Sequence, residues 1–366
     1  MKRVLLLANG PGELWCWARP MIPALGERGF NVSLRLLPCQ YASGNEKDIA
    51  NNLVGGGVDP PMSVFAALAG KKGIGYDAIL QLGGDLLFGL AFSARNRAPL
   101  FCYTYGPKPL LNRCDGVFSA FEGTCQFGGA VRDKLLIVGD LVADALAMDS
   151  GEFRWTTGRS PRIVLFPGSR RVIRSAALPF IRDLAARIKE RLPLSEIVIA
   201  ISHFSEPGEE EKWRSLGLKA VASPTGSILR GADLAVTQPG TNTLELAHSL
   251  VPAIVAVPFA FLRYVPLPGL LGVLGFIPLA GGVLKEKLLR RLSGSRGFLA
   301  WPNRLAGSEI MPEMVGDIAA TDVADRAVEL LGDEERLRGI REGLMKVRQA
   351  PGAAAVIAAR ISELVG

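Results

Sequence analysis

Short apolar runs, each closed by glycine, proline or small polar residues, alternate along this chain with stretches of helical period. Residues 4–8 (VLLLA) make the first run, closed by Asn9-Gly10-Pro11-Gly12, and residues 14–28 behind it read as an amphipathic helix. Further runs of strand length lie at 31–37, 78–82, 100–105, 116–120 and 135–138. The pattern lapses over 149–160 (DSGEFRWTTGRS), a polar stretch without apolar period. It then restarts with runs at 163–166, 197–201, 234–237 and 253–257. Leu178, Ile181, Leu184 and Ile188 fall on one helical face, residues 244–250 make a second helix, and helices fill the chain from about 324 to 365. Continuous apolar runs bounded by turns are the mark of strands covered on both faces, as in parallel sheets. The expected fold class is therefore α/β. It holds two Rossmann-like, doubly wound domains, residues 1–158 and 159–345, with 149–160 as linker. A closing helix follows over 346–366, for which a return to the first domain is one option.

One region departs from this alternation. Residues 264–284 (YVPLPGLLGVLGFIPLAGGVL) carry no charge over 21 positions, a length that suits a membrane span. Three prolines and five glycines argue against a regular spanning helix. The basic, amphipathic stretch 285–296 (KEKLLRRLSGSR) follows directly. Together, 264–296 reads either as a lipid-facing element at a membrane surface or as a buried core segment with a solvated helix behind it.

Composition narrows the field. With 49% hydrophobic and 21% charged residues over 366 positions, the chain has ample core material and no signature of disorder. Its net charge of +7 favours anionic partners, but the basic residues are dispersed, so nucleic acid is not an expected partner. Cys16, Cys39, Cys102, Cys114 and Cys125 form no CxxC pair. With two histidines in the chain, no metal site is expected, and the cysteines read as reduced, in a cytoplasmic protein. GxSxG, Walker A and HExxH motifs are missing, which removes the hydrolase, P-loop kinase and zinc-protease readings.

Candidate chemistry sits in the turns that close the strands. Pro167-Gly168-Ser169-Arg170 closes the run at 163–166. Its backbone N–H groups and the Arg170 guanidinium suit phosphate oxygens, and a plain strand-to-helix turn would look similar. Gln238-Pro239-Gly240-Thr241-Asn242-Thr243 closes the run at 234–237 in the same way. Two such turns at one sheet edge fit one diphosphate, or two well-capped helices. In the first half, Gly83-Gly84-Asp85 offers Asp85 as a general base or as an N-cap. Glu13, behind Gly10 and Gly12, is a second base or a residue stabilised by its helix dipole.

The stretch WPNRLAGSEIMPEM at 301–314 decides between these readings. Residues 302–313 resemble the signature Pro-Asn-x-Leu-Ala-Gly-x-Glu-Val-Val-Pro-Glu of the lipid-A-disaccharide synthase family, inverting glycosyltransferases with the two-domain GT-B architecture and a cleft between the domains. The segment IVLFPGSRR at 163–171 resembles that family's strand and Pro-Gly-Ser-Arg turn. Gly240-Thr241-Asn242-Thr243-Leu244-Glu245 resembles its Gly-Thr-x-Thr-Leu-Glu, and residues 139–144 its Gly-His-Pro-Leu-Ala-Asp, with Asp140 where His is usual. The resemblance implies a UDP-sugar as donor substrate and no cofactor. Gly168, Ser169, Arg170, Gly240, Thr241, Asn242, Thr243, Glu245, Asn303 and Glu309 would bind that donor. Gly83-Gly84-Asp85 and the downstream Tyr103 match the family's catalytic segment. That makes Asp85 the preferred base with Glu13 in reserve, and Gly10, Gly12, Gly84 and Tyr103 acceptor contacts. The implied acceptor is an acylated glucosamine 1-phosphate, met by a homodimeric cytoplasmic protein peripheral to the inner membrane. The first loop departs from the family's Gly-Glu-x-Ser-Gly-Asp, and a single Asp85 replaces an Asp-x-Pro-Asp pair, so the departures gather in the acceptor half. A UDP-N-acetylglucosamine 2-epimerase and a non-catalytic nucleotide-sugar or lipid binder are the alternatives.

Overall fold

The structure is a computed structural model that describes all residues except 40–42, 57, 59–74, 123–126, 152, 157, 159–160 and 263–296. The lipid-facing element expected at 264–296 and Cys125 lie outside the described residues. Two compact units emerge: unit 1 comprises Met1–Met148 with Gln349–Gly366, and unit 2 comprises Asp149–Arg348.

Unit 1 is built on six parallel strands: β1 (Arg3–Ala8), β2 (Asn31–Leu36), β3 (Ala78–Leu82), β4 (Leu100–Thr104), β5 (Gly116–Ser119) and β6 (Leu135–Ile137), in the order β2-β1-β3-β4-β5-β6. The strands β3 and β4 are buried at every position, which is why they read as mostly apolar runs, broken only by Gln81 and Thr104. The chain after β1 enters a wide π-helical turn, Glu13–Ala18, and continues as the α-helix Arg19–Glu27. The helix Ala353–Val365 packs against Arg19–Glu27 in this unit. Its first turn is held by Asp144, whose carboxylate accepts from the N–H groups of Gly352 (3.0 Å), Ala353 (3.1 Å) and Ala354 (3.4 Å). A carboxylate at these orphan donors caps the helix and complements its dipole.

Unit 2 repeats the plan with β7 (Arg162–Leu165), β8 (Glu196–Ala200), β9 (Ala220–Val221), β10 (Leu234–Thr237), β11 (Ala253–Pro258) and β12 (Glu313–Gly316), all parallel, in the order β12-β11-β10-β7-β8-β9. The helices Arg171–Arg191 and Ala320–Gly332 pack together on this sheet, and Ile181, Leu184 and Ile188 point into the core as their spacing predicts. Two strands escape the apolar pattern. Ala220–Val221 spans two residues, and Glu313–Gly316 is a half-exposed edge strand that begins at the end of the 301–314 segment.

The stretch expected as a linker is instead part of unit 2. Asp149 is buried and its carboxylate accepts from Gly226 N at 2.8 Å. Arg230 donates to the carbonyls of Asp149 and Gly151, and Thr156 N donates to the buried Glu196 carboxylate at 2.7 Å. Phe153 and Trp155 meet edge to face, with centroids 5.2 Å apart, and pack on the core. Two aromatic anchors suffice to dock a segment whose average composition is polar.

Candidate functional site

In an open parallel sheet the ligand crevice lies at the carboxyl ends of the two strands where the winding reverses. In unit 1 the order reverses between β1 and β3, paired from Val4↔Ala78 to Ala8↔Leu82. Beyond Ala8 and Leu82 come Asn9–Glu13 and Gly83–Asp85. In unit 2 the reversal falls between β7 and β10, paired through Leu165↔Val236. Beyond those strands come Pro167–Arg170 and Gln238–Thr241. Both pairs of turns singled out in the sequence thus stand at the two positions that topology reserves for ligands.

The unit 1 crevice is organised around Gly83 and Gly84. Both have left-handed backbone, at φ 72° and 65°, where a side chain would be strained. A Cβ on Gly83 would stand 3.0 Å from Glu13 Cγ and 3.3 Å from Glu13 Oε1, and one on Gly10 would stand 3.0 Å from Glu13 Oε2. The half-buried Glu13 side chain therefore lies between the two turns, in space that glycine keeps open. The π-helical turn that begins at Glu13 widens the helix at this point, a distortion often found at functional sites. Two further groups reach the same dipeptide. Asn9 Cβ and Nδ2 lie 3.4 and 3.5 Å from a Cβ placed on Gly84, and Lys108 Nζ donates to Gly84 O at 3.3 Å.

Asp85 is placed differently. It is exposed and caps the helix Leu86–Asn96, its Oδ1 accepting from Leu87 N at 3.0 Å. Its own carbonyl accepts from Gln81 Nε2 at 2.8 Å, and Gln81 Oε1 takes Gly89 N, so the buried Gln81 fixes the whole turn.

Tyr103 does not present its hydroxyl to a ligand. The residue is fully buried. Its hydroxyl donates to Gly139 O (3.1 Å), accepts from Leu141 N (3.2 Å) and stands 3.5 Å from Asp140 Oδ1. Tyr105 donates to Asp140 Oδ1 at 2.7 Å and accepts from Trp17 Nε1 at 3.1 Å. Burial, then the Asp140 charge, pushes both phenols well above their ordinary range, so both stay protonated donors. Trp17, Tyr103, Tyr105 and Asp140 thus form one buried network.

In unit 2, Gly168 (φ 101°) brings its turn against the β10 turn. A Cβ there would meet Ile173 at 3.0 Å and the Gln238 amide at 3.6 and 3.7 Å. Ser169 is exposed, and its carbonyl accepts from the buried Arg174 at 2.6 Å. Arg170 occupies the N-cap position of the 21-residue helix Arg171–Arg191 without a side-chain capping bond. Gly240, Thr241 and Asn242 are open at the start of the helix Asn242–His248. Thr243 and Glu245 are buried, and Thr243 Oγ1 donates to Gly240 O at 2.8 Å and accepts from Trp301 N at 3.2 Å.

Asn303 is committed to its own loop. It is fully buried and every hydrogen-bonding site on its amide is used. Oδ1 accepts from Ile310 N and Met311 N, both at 2.8 Å, while Nδ2 donates to Met311 O at 2.7 Å and Glu313 Oε1 at 2.8 Å. Glu313 also accepts from Leu299 N (2.9 Å) and Ala300 N (2.8 Å). These two side chains tie the loop 299–313 to itself. Glu309 is exposed, with Oε1 accepting from Glu313 N at 2.9 Å.

Among the described residues no group of three or more His, Cys, Asp or Glu side chains is placed to hold a metal, and no helix is long and apolar enough to cross a membrane. No family model matches the chain. A lipid-A-disaccharide synthase of Trichlorobacter lovleyi is 25% identical over 218 residues, covering 58% of this chain and 51% of that protein. A lipid-A-disaccharide synthase of Geobacter sulfurreducens is 24% identical over 192 residues, covering 51% of this chain and 44% of that protein. The chain spans about half the length of the synthases it matches. Among solved structures, Acinetobacter baumannii MurG matches at TM-score 0.57 with 15% identity, covering 99% of this chain and 100% of that one. A UDP-GlcNAc 2-epimerase from Neisseria meningitidis bound to UDP-GlcNAc matches at TM-score 0.59 with 13% identity, covering both chains in full. The fold is GT-B: two α/β units, each on a six-stranded parallel sheet among the described residues. The synthase resemblance and the GT-B fold therefore both stand, as those of a divergent relative.

Asn9 and Lys108 are two groups at this crevice that motif reading did not single out. Asn9 opens the first Gly-rich turn and its position was legible. Lys108 lies 24 residues beyond Gly84 in a Pro-rich loop, and no local spacing connects the two.

Proposed function

We propose that this protein is a metal-independent inverting glycosyltransferase. Unit 2 takes a UDP-sugar of the glucosamine type and unit 1 takes a lipid-type glucosamine 1-phosphate acceptor. The observation that carries the reading is the meeting of the Pro167–Arg170 and Gln238–Thr241 turns at the unit 2 reversal, beside the start of a long helix with Arg170 at its N-cap. Backbone donors and one guanidinium at that point suit the charge that builds on a departing diphosphate.

In this reading an acceptor hydroxyl attacks the anomeric carbon on the face opposite UDP. The new C–O bond forms as the anomeric carbon–phosphate oxygen bond breaks, and UDP leaves with the electron pair. The hydroxyl proton passes to a carboxylate. Glu13 now ranks before Asp85, because Glu13 lies between the two turns of the crevice while Asp85 is committed to a helix cap. The synthase relatives support a lipid acceptor, and in this proposal the apolar, basic residues 264–296 face the cytoplasmic leaflet.

Calorimetric titration with UDP tests the donor half. Wild type is expected to bind, and Arg170→Ala to weaken binding by tenfold or more. Absence of UDP binding to wild type overturns the reading. Asn303→Ala is a poor probe here because it dismantles the loop itself. An epimerase remains the second reading because an epimerase shares this fold at full coverage. Release of free N-acetylmannosamine from UDP-N-acetylglucosamine would select it.

A further inference from the structure

The unit 1 crevice holds two groups whose hydrogen-bonding or charge pairing is incomplete. Asn9 Oδ1 is buried, and among the described residues it has no hydrogen-bond partner. An amide oxygen withdrawn from water without a donor is unfavourable, so such an atom marks a place where a ligand donor fits. Lys108 is half-buried. Among the described residues no carboxylate lies within ion-pairing distance of it, and its hydrogen bond goes to the Gly84 carbonyl. Its other charged neighbourhood is a thiol pair: the Cys114 hydrogen bond first, and Lys108 with it, draw buried Cys102 down to about 7. Glu13 supplies the third group, against Gly83. One hydrogen-bond acceptor seeking a donor, one carboxylate and one cation without a carboxylate partner thus converge on the consecutive residues Gly83 and Gly84, at the reversal between β1 and β3.

We propose that Lys108 and Asn9 set the acceptor specificity of this site: Lys108 binds an anionic substituent, and Asn9 Oδ1 accepts from a hydroxyl or amine of the same sugar. A half-buried ammonium attracts an anion more strongly than a solvated one, since less water screens it. Glu13 beside it would disfavour an anion at the hydroxyl end, so the two charges orient a ligand that carries a hydroxyl at one side and a phosphate at the other. This inference rests on the glycosyl-transfer reading and names what that reading leaves open, the groups that select the acceptor.

The test uses the full chain saturated with UDP and follows binding of glucosamine 1-phosphate and of glucosamine by calorimetry. Wild type is expected to prefer the phosphorylated sugar by tenfold or more. Lys108→Met should remove that preference, weakening glucosamine 1-phosphate at least tenfold and glucosamine by less than twofold. Lys108→Gln serves as the second variant if Met alters the thermal transition. Asn9→Ala should weaken both sugars alike, by about fivefold. A wild type that binds UDP but shows no preference for the phosphorylated sugar, or binds neither sugar, overturns the proposal and leaves the donor reading standing. Equal weakening of both sugars by Lys108→Met assigns Lys108 a structural role and also overturns it. Failure of wild type to bind UDP removes the glycosyl-transfer reading itself.

Discussion

The two sheet reversals solve the same topological problem with opposite chemistry. In unit 2 the polar residues of the 301–314 segment are spent on the protein. Asn303 uses all of its amide, Glu313 collects three backbone and side-chain donors, and Thr243 ties that segment to Gly240. In unit 1, among the described residues, Asn9 keeps an unmet oxygen, Lys108 has no carboxylate partner, and Glu13 stands between turns kept clear by glycine. A long sequence signature can therefore mark the residues that build a loop, while groups with incomplete hydrogen bonding lie in short turns. Backbone N–H groups and a few open positions, Ser169, Gly240, Thr241 and Glu309, are what unit 2 leaves to offer.

Three substitutions sharpen this contrast, in descending order of effect. Glu13→Gln should lower the rate of sugar transfer by about 10²–10⁴-fold, the usual worth of a general base, with UDP affinity unchanged. A normal rate for Glu13→Gln beside a comparable loss for Asp85→Asn would return the base to the helix cap and break the distinction drawn for unit 1.

Next, Asn303→Ala strips acceptors from two backbone N–H groups and a donor from Glu313. It should destabilise unit 2 by about 3 kcal/mol, read as an earlier denaturant midpoint with the slope unchanged. A fully stable variant that has lost UDP binding would mean that the loop meets the ligand after all.

The smallest effect is expected from Asp85→Ala, about 1 kcal/mol for a lost N-cap. Sugar transfer should stay within a few-fold of wild type in a steady-state assay.

Much of the fold was legible because its strands are covered on both faces. Residues 78–82 and 100–104 are buried and mostly apolar, with Gln81 and Thr104 as the polar exceptions, and the turns after them show themselves by glycine. Edge strands hid: Ala220–Val221 is too short for a pattern, and Glu313–Gly316 begins with a carboxylate that faces its own loop. The position of each crevice could be read from strand–turn–helix order. The part each residue plays could not. Residue type does not say whether Asn303 points at a ligand or at Met311, or whether a tyrosine hydroxyl finds Gly139. Those outcomes depend on contacts between residues far apart in the chain, as with Lys108 and Gly84.

The interrupted layout of unit 1 has a bearing on biosynthesis. A ribosome delivers Met1–Met148, then all of Asp149–Arg348, and only then Gln349–Gly366. Until that last segment emerges, Asp144 lacks the helix Ala353–Val365 to cap, and the side of Arg19–Glu27 that packs on that helix is uncovered. Unit 2 can condense on the nascent chain while unit 1 waits unfinished, exposing surface that invites chaperones and proteases. The order of synthesis therefore lets unit 2 mature first and leaves unit 1 open until the chain is finished.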